Sequence, residues 1–313
     1  MRSHYSLENL KRAVRNPHLF VREGHRLLSL PIHHLYGRYL DRTLPKSEHI
    51  MERDWDTLVI LDACRHDYFT SHNELPGKLT STISSGKKSW EFMQQNFIGG
   101  EYHDTIYVTA NPFANRLEDG TFYHVDYLAD EWNEEIGTIF PEDVRKAAVA
   151  ANRRHPNKRL IVHFMQPHRP YLGEKAEELR RRVDLKGYRN EGSGVQIWGA
   201  AKQKEVTVDE VRQAYEESLE IVLAEVETLV DELDGKTVVT ADHGEMLGER
   251  VLPLTTRVWG HSEGFSTRLL RTVPWLTIGG DKRREITADV PDESTDLDSD
   301  TVSDRLEALG YKE

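Results

Sequence analysis

The chain has one cysteine in 313 residues, Cys64, which excludes an intrachain disulfide and any cysteine-based zinc site. It lacks a run of about 18 apolar residues, so no segment reads as a membrane-spanning helix. The N-terminus lacks the apolar core of a secretory signal. Aromatic residues are few, at 9%. An excess of positive charge is also missing: the formal balance is −12, which argues against nucleic acid as a partner of the whole molecule. No internal repeat is found. These absences together lead to the expectation of a cytoplasmic chain.

What is present is the composition of a well-folded protein, 38% hydrophobic and 30% charged, long enough to bury a sizeable core. The charge is uneven. Residues 1–53 hold ten Lys/Arg against five Asp/Glu, so the remainder carries −17. Three regions follow: a basic amphipathic segment over 1–53, a main domain over 54–280, and an acidic tail over 281–313 that reads as a solvated end. In the first, Leu27, Leu28, Leu30, Ile32, Leu35 and Leu40 alternate with Arg22, Arg26, Arg38 and Arg42. Two uses fit such a pattern: a helix packed on the main domain, or peripheral contact with anionic lipid on the inner membrane face.

Short apolar runs predict strands at Thr57–Leu61, Thr105–Thr109, Leu160–Phe164, Thr237–Thr240 and Val273–Ile278. Between them lie helical patterns at Ser89–Phe97, Glu142–Arg153 and, most clearly, Thr207–Leu233, which opens on the capping box Thr207/Glu210 and stops at Gly235. Strands alternating with helices imply a three-layer α/β/α sandwich with a mostly parallel central sheet. The stretch Gly173–Lys204 lacks periodicity and reads as a lid over the site or a surface insertion.

Chemistry concentrates at strand ends. Asp62 ends one apolar strand, and Asp242-His243 ends another. His168 stands between prolines after a third, and His261 in a glycine-flanked loop. His163 falls inside a strand and reads as a core residue. Oxygen and imidazole donors of this kind suit Mn²⁺, Zn²⁺ or Mg²⁺, and one ion is expected. A hydroxyl nucleophile comes from the segment between Ser81 and Ser89. Ser89 is favoured because it opens a helix, whose unpaired N–H groups face an anion; Ser85 and Thr82 are its rivals.

These motifs together resemble the alkaline phosphatase superfamily, and within it the sulfatase-like and lipoteichoic-acid-synthase-like branch. Asp62-Ala63-Cys64-Arg65-His66-Asp67 is similar to the family's first metal motif, and Gly86-Lys87-Lys88-Ser89 to its nucleophile segment. Gln166-Pro167-His168-Arg169-Pro170-Tyr171 resembles the His-x-Pro-Tyr substrate segment. Asp242-His243-Gly244-Glu245 resembles the second metal motif, and Gly260-His261 a downstream histidine. The resemblance implies that Asp62, Ser89, Asp242 and His243 bind the metal, that Ser89 is the nucleophile, and that Arg65, Lys88, His168 and His261 meet the substrate.

The sequence departs from true sulfatases in lacking a Cys/Ser-x-Pro-Ser-Arg motif, so formylglycine chemistry is not expected. The spacing from Asp62 to Ser89 is also short for the family. The implied activity is a metal-dependent phosphoesterase or phosphotransferase with a covalent serine intermediate. Its substrate would be an anionic small molecule or a lipid or glycan head group. A phosphomutase-like isomerase, or a degenerate member acting as a membrane-associated scaffold, are the alternatives.

Overall fold

Largely apolar strands cannot sit at a sheet edge without exposing themselves, and here they form its middle. The computed structural model describes residues 17–183, 185, 196–261, 265–292 and 305. Its central sheet has seven strands: β1 (Thr57–Leu61), β2 (Lys78–Ile83), β3 (Tyr102–Thr109), β4 (Phe122–Tyr127), β7 (Arg159–Phe164), β8 (Thr237–Ala241) and β11 (Thr272–Ile278). Two small ribbons pair β5 (Trp132–Asn133) with β6 (Thr138–Ile139), and β9 (Leu247–Arg250) with β10 (Arg257–Trp259). The order in the large sheet is β2-β11-β8-β1-β7-β3-β4. β1 lies parallel to β7 and β8, and β3 to β7 and β4; β11 alone runs antiparallel. β1 and β8 are buried at every residue, as parallel strands covered on both faces must be.

The helices, in chain order, are α1 (Pro17–Thr43), α2 (His66–His72), α3 (Ser89–Asn96), α4 (Pro141–Arg154), α5 (Glu174–Arg182), α6 (Ile197–Gln203), α7 (Val208–Asp231) and α8 (Arg268–Arg271). Alternate residues of β1 feed the two faces. Val59 and Leu61 pack with Leu219, Val222 and Val226 of α7 and Val144 and Ala148 of α4. Leu58 and Ile60 pack with Phe92 and Met93 of α3 and with Phe97 and Tyr107. This is the three-layer α/β/α architecture expected. The capping box of Thr207 and Glu210 is present, and α7 is the longest helix after α1, at 24 residues.

Two expectations change. The described ends of the Gly173–Lys204 stretch are helices, α5 and α6, whose Leu179, Ile197 and Ala200 pack against Val211, Ala214 and Tyr215 of α7; residues 186–195 lie outside the described part. The start of the acidic tail is not simply solvated. Thr287 N, Asp289 N and Asp292 N donate to the carbonyls of Asn157, His103 and Tyr123, and the buried Lys158 ammonium holds Asp289 at 2.6 Å. Apart from Arg305, the tail beyond 292 is not described.

Candidate metal centre and nucleophile

Parallel strands deliver their C-terminal tips to one rim, and the tips of β1 and β8 meet there. Asp62 follows β1 and is fully buried. Its neighbour Ala63 takes a left-handed conformation, φ 60°, which an alanine adopts only when its surroundings impose it. Those surroundings are specific. Ala63 N donates to Asp242 Oδ1 at 3.0 Å, and the Tyr215 hydroxyl of α7 donates to Ala63 O at 2.8 Å while accepting from Arg65 N at 2.9 Å.

Asp242 and His243 leave β8 together. His243 N donates to Asp242 Oδ1 at 2.8 Å. His243 Nδ1 lies 2.8 Å from the carbonyl of Gly244, so Nδ1 carries the proton and Nε2 offers its lone pair. That Nε2 is 3.7 Å from Asp62 Oδ1, 3.4 Å from Asp242 Oδ2 and 3.4 Å from Ser89 Oγ. The turn admits no side chain at Gly244, where an added Cβ would stand 1.9 Å from the carbonyl oxygen of Leu269.

Ser89 is the first residue of α3, after Lys88 in extended conformation, and is fully buried. Its hydroxyl donates to Asp62 Oδ2 at 3.1 Å, and Asn111, just past β3, donates to the same oxygen at 2.8 Å. The rival hydroxyls have other partners: Ser85 Oγ accepts from Asn96 at 2.7 Å, and Thr82 Oγ1 from Arg53 at 3.2 Å. Lys88 is half-buried at the helix start. Arg65 is not available in the way expected of a substrate contact. Its guanidinium is taken up by Asp67, at 2.6 and 2.9 Å, and by Glu249, at 2.6 Å.

A second cluster forms beside the first. His168, Glu245 and His261 bring ligand-type atoms within 4.8 Å of one another, and all three are buried. His261 Nδ1 is 3.1 Å from Glu245 Oε1, and the His261 ring centre is 4.4 Å from that of His243. Sequence reading missed Glu245, although it stands in the same Asp-His-Gly-Glu motif. It also missed Asn111, for which the one signal was its place just past a predicted strand. His163 is not a plain core residue: its Nε2 is 3.9 Å from Asp242 Oδ2, and its Nδ1 shares a 2.8 Å hydrogen bond with the Tyr107 hydroxyl.

The electrostatics favour a cation. Asp62 Oδ1, Asp242 Oδ2 and Glu245 Oε2 are buried with no hydrogen-bond partner, and among the described residues none of the three carboxylates pairs with Lys or Arg. Burial, then the charge of Asp242, pushes the Asp62 carboxyl well above its usual range, against the hydrogen bonds from Ser89 and Asn111. Burial lowers His243 and His168, and brings His163 down to about 4. Buried carboxylates facing neutral imidazoles form a donor set that a divalent cation fits.

No family model matches the sequence, and no curated protein is found to match it. Solved structures do resemble the chain. One is the C-terminal periplasmic domain of EcEptC from Escherichia coli in complex with Zn, at 17% identity and TM-score 0.48 over 76% of this chain and 78% of that one. The soluble domain of lipooligosaccharide phosphoethanolamine transferase A from Neisseria meningitidis is similar at 12% identity and TM-score 0.42, over 70% and 75% of the two chains. Phosphonate monoester hydrolase SpPMH from Silicibacter pomeroyi is similar at 13% identity and TM-score 0.42, over 81% and 72%.

These findings correct the expectation of a cytoplasmic location, because the similar structures include domains described as periplasmic. That expectation rests on a missing apolar run and a missing signal core, and neither fixes a compartment. Among the described residues no helix is long and apolar enough to cross a membrane. The architecture itself, a seven-stranded, mostly parallel sheet between two helical layers, is the one implied by the sequence's resemblance to the alkaline phosphatase superfamily.

Proposed function

We propose that this chain is a metal-dependent phosphoesterase or phosphotransferase whose nucleophile is Ser89. The observation that carries this reading is the position of the Ser89 hydroxyl. It is buried at the start of α3, 3.1 Å from one buried carboxylate and 3.4 Å from an imidazole nitrogen whose proton is on the far side. Asp62, Ser89, Asp242 and His243 would hold one divalent ion. His168, Glu245 and His261 would hold a second, so the donor set favours two ions over the one expected from sequence. When bound, such an ion lowers a hydroxyl's pKa and polarises a phosphoryl oxygen.

The chain's own groups do the rest. Ser89 Oγ attacks phosphorus, an O–P bond forms, and the ester bond to the leaving oxygen breaks. Asp62 Oδ2 orients the hydroxyl by accepting its hydrogen bond, and Asn111 fixes that carboxylate oxygen in turn. The unpaired N–H groups at the start of α3 face the phosphoryl oxygens. The Ser89 proton passes to Asp62 Oδ2, which already accepts its hydrogen bond, and the departing oxygen takes its proton from solvent at the rim. In the second step water or an alcohol attacks phosphorus and gives up its proton to solvent, and Ser89 leaves as Asp62 Oδ2 returns the proton it took. The substrate we assign is an anionic lipid or glycan head group joined by a phosphoester.

The second cluster meets the two-ion condition of a phosphomutase-like alternative. The described cap, helices of nine and seven residues, does not supply the large closing domain such isomerases use. A screen of phosphomonoesters, phosphodiesters and sulfate esters with Mn²⁺, Mg²⁺ and Zn²⁺ tests the proposal. Turnover of a phosphoester that needs the metal is expected. Turnover of sulfate esters alone, or metal binding without any turnover, contradicts it.

A further inference from the structure

Helix α1 has two unlike faces. One is closed against the body. Ser29 Oγ accepts from Thr256 N at 3.0 Å, the His33 ring meets Phe265 edge-on at 5.4 Å, and Leu40 is buried. Asp41 is turned the same way, accepting from Ser266 at 2.8 Å and pairing with Arg271 at 3.3 Å and Lys87 at 3.4 Å. The other face carries Leu28, Ile32, Leu35 and Tyr39 at spacings of four, three and four, which place them in one stripe. Leu28 and Leu35 are each 72% exposed.

The stripe continues beyond the helix. Leu254, in the turn between β9 and β10, is 88% exposed with φ 69°, and His25 of α1 contacts its carbonyl. Of the eleven large hydrophobic residues exposed among the described residues, eight lie on α1 and this turn. An apolar patch this concentrated marks an interaction surface.

The charges around it identify the occupant. Arg38 and Arg42 are exposed on the helix beside the stripe, while Asp41, between them and the body, is paired with Lys87 and Arg271. The surface is therefore apolar and cationic, and it belongs to the one basic region of a chain whose remainder carries −17. An anionic lipid bilayer attracts this face and repels the rest of the molecule, so binding would hold the protein in one orientation. The location also matters. Lys87 is two residues before Ser89, and α8, beside Ser266, supplies the Leu270 carbonyl that accepts from Gly244 N at 2.9 Å. Helix α1 thus braces two segments that frame the strand-tip rim.

We propose that the outward face of α1, together with the β9–β10 turn, docks on an anionic lipid bilayer and brings the Ser89 site to head-group level. The docking stands on the surface alone; its use for lipid head groups rests on the phosphoester reading above.

Vesicle flotation of the full chain tests the docking, with phosphatidylcholine alone and with phosphatidylcholine mixed with phosphatidylglycerol. The wild type is expected on the mixed vesicles, and at least about tenfold more weakly on the neutral ones. The triple variant Leu28→Glu, Leu35→Glu, Leu254→Glu is expected to bind the mixed vesicles at least about tenfold more weakly, since buried apolar area sets the affinity. All three side chains are exposed, so the fold tolerates the change. Equal binding by the triple variant overturns the docking, as does a wild type that ignores anionic vesicles. A wild-type dimer that the triple variant loses, seen by light scattering, also overturns it, because a second copy then covers the face. Hydrolysis of a water-soluble nitrophenyl phosphodiester is read in parallel and is expected to be equal in both proteins. Absence of that turnover counts against the phosphoester reading, while the flotation result still decides the docking.

Discussion

A buried carboxylate oxygen whose lone pairs meet no donor is costly unless a cation or a proton meets it. Asp62, Asp242 and Glu245 present three such oxygens within one rim, and this is the physical basis for assigning a metal to the site. Asp242 is the residue most exposed to test, because its two oxygens divide the work. Oδ1 accepts from the backbone of Ala63 and His243, and Oδ2 faces the imidazoles. Asp242→Ala is expected to lower metal retention by at least about tenfold and to abolish turnover, read as metal content of the dialysed protein. Unchanged metal content would move the site elsewhere. His163 gives an independent test through pH. Its folded pKa is about 4 against an ordinary 6.5, so between those values the unfolded chain takes up a proton that the folded, metal-free protein refuses. Stability should therefore fall as pH drops through that window. In His163→Gln the slope of melting temperature against pH should be shallower there; an unchanged slope would show that His163 is protonated in the fold.

At the scale of elements, the long helix α7 is tied to the metal loop by one side chain. Tyr215 bridges Ala63 O and Arg65 N, the two backbone groups that hold Ala63 at positive φ. Tyr215→Phe keeps the packing and removes both hydrogen bonds. It is expected to weaken metal binding by about tenfold, with little change in far-ultraviolet circular dichroism; wild-type affinity would show that the loop holds its shape unaided. The sequence reached the central elements because β1, β7 and β8 are short, mainly apolar runs followed by ligand-type residues. It did not reach β2 or β4. Both are edge strands, and β2 reads Lys78-Leu79-Thr80-Ser81-Thr82-Ile83 with every residue at least partly exposed, so little apolar signal is required of it. The antiparallel course of β11 was equally hidden, since direction is set by tertiary pairing with β8. Glu245 was hidden differently: a glutamate after a turn gives no sign, in sequence, of facing His261 across 16 residues.

The whole molecule divides its charge between a basic helix on one rim and an acidic body. The basic helix serves attachment, in the account given above, while the body's rim concentrates the buried acids of the site. Removing the metal should therefore be felt globally. Chelation is expected to lower the melting temperature by roughly 5–10 °C, as loss of a ligand bound well above its dissociation constant does, and added Zn²⁺ or Mn²⁺ should restore it. A melting temperature indifferent to chelator would mean that the buried carboxylates are protonated rather than metal-bound. The central claim, however, is the covalent role of Ser89, and the direct measurement is peptide mass spectrometry of enzyme acid-quenched during turnover of a phosphodiester. The account predicts a phosphorus-bearing adduct on the peptide containing Ser89, missing in Ser89→Ala, which also loses at least about a thousandfold in turnover while keeping most of its metal. Steady turnover with no adduct, an adduct on Ser85 or Thr82, or full activity in Ser89→Ala would contradict it.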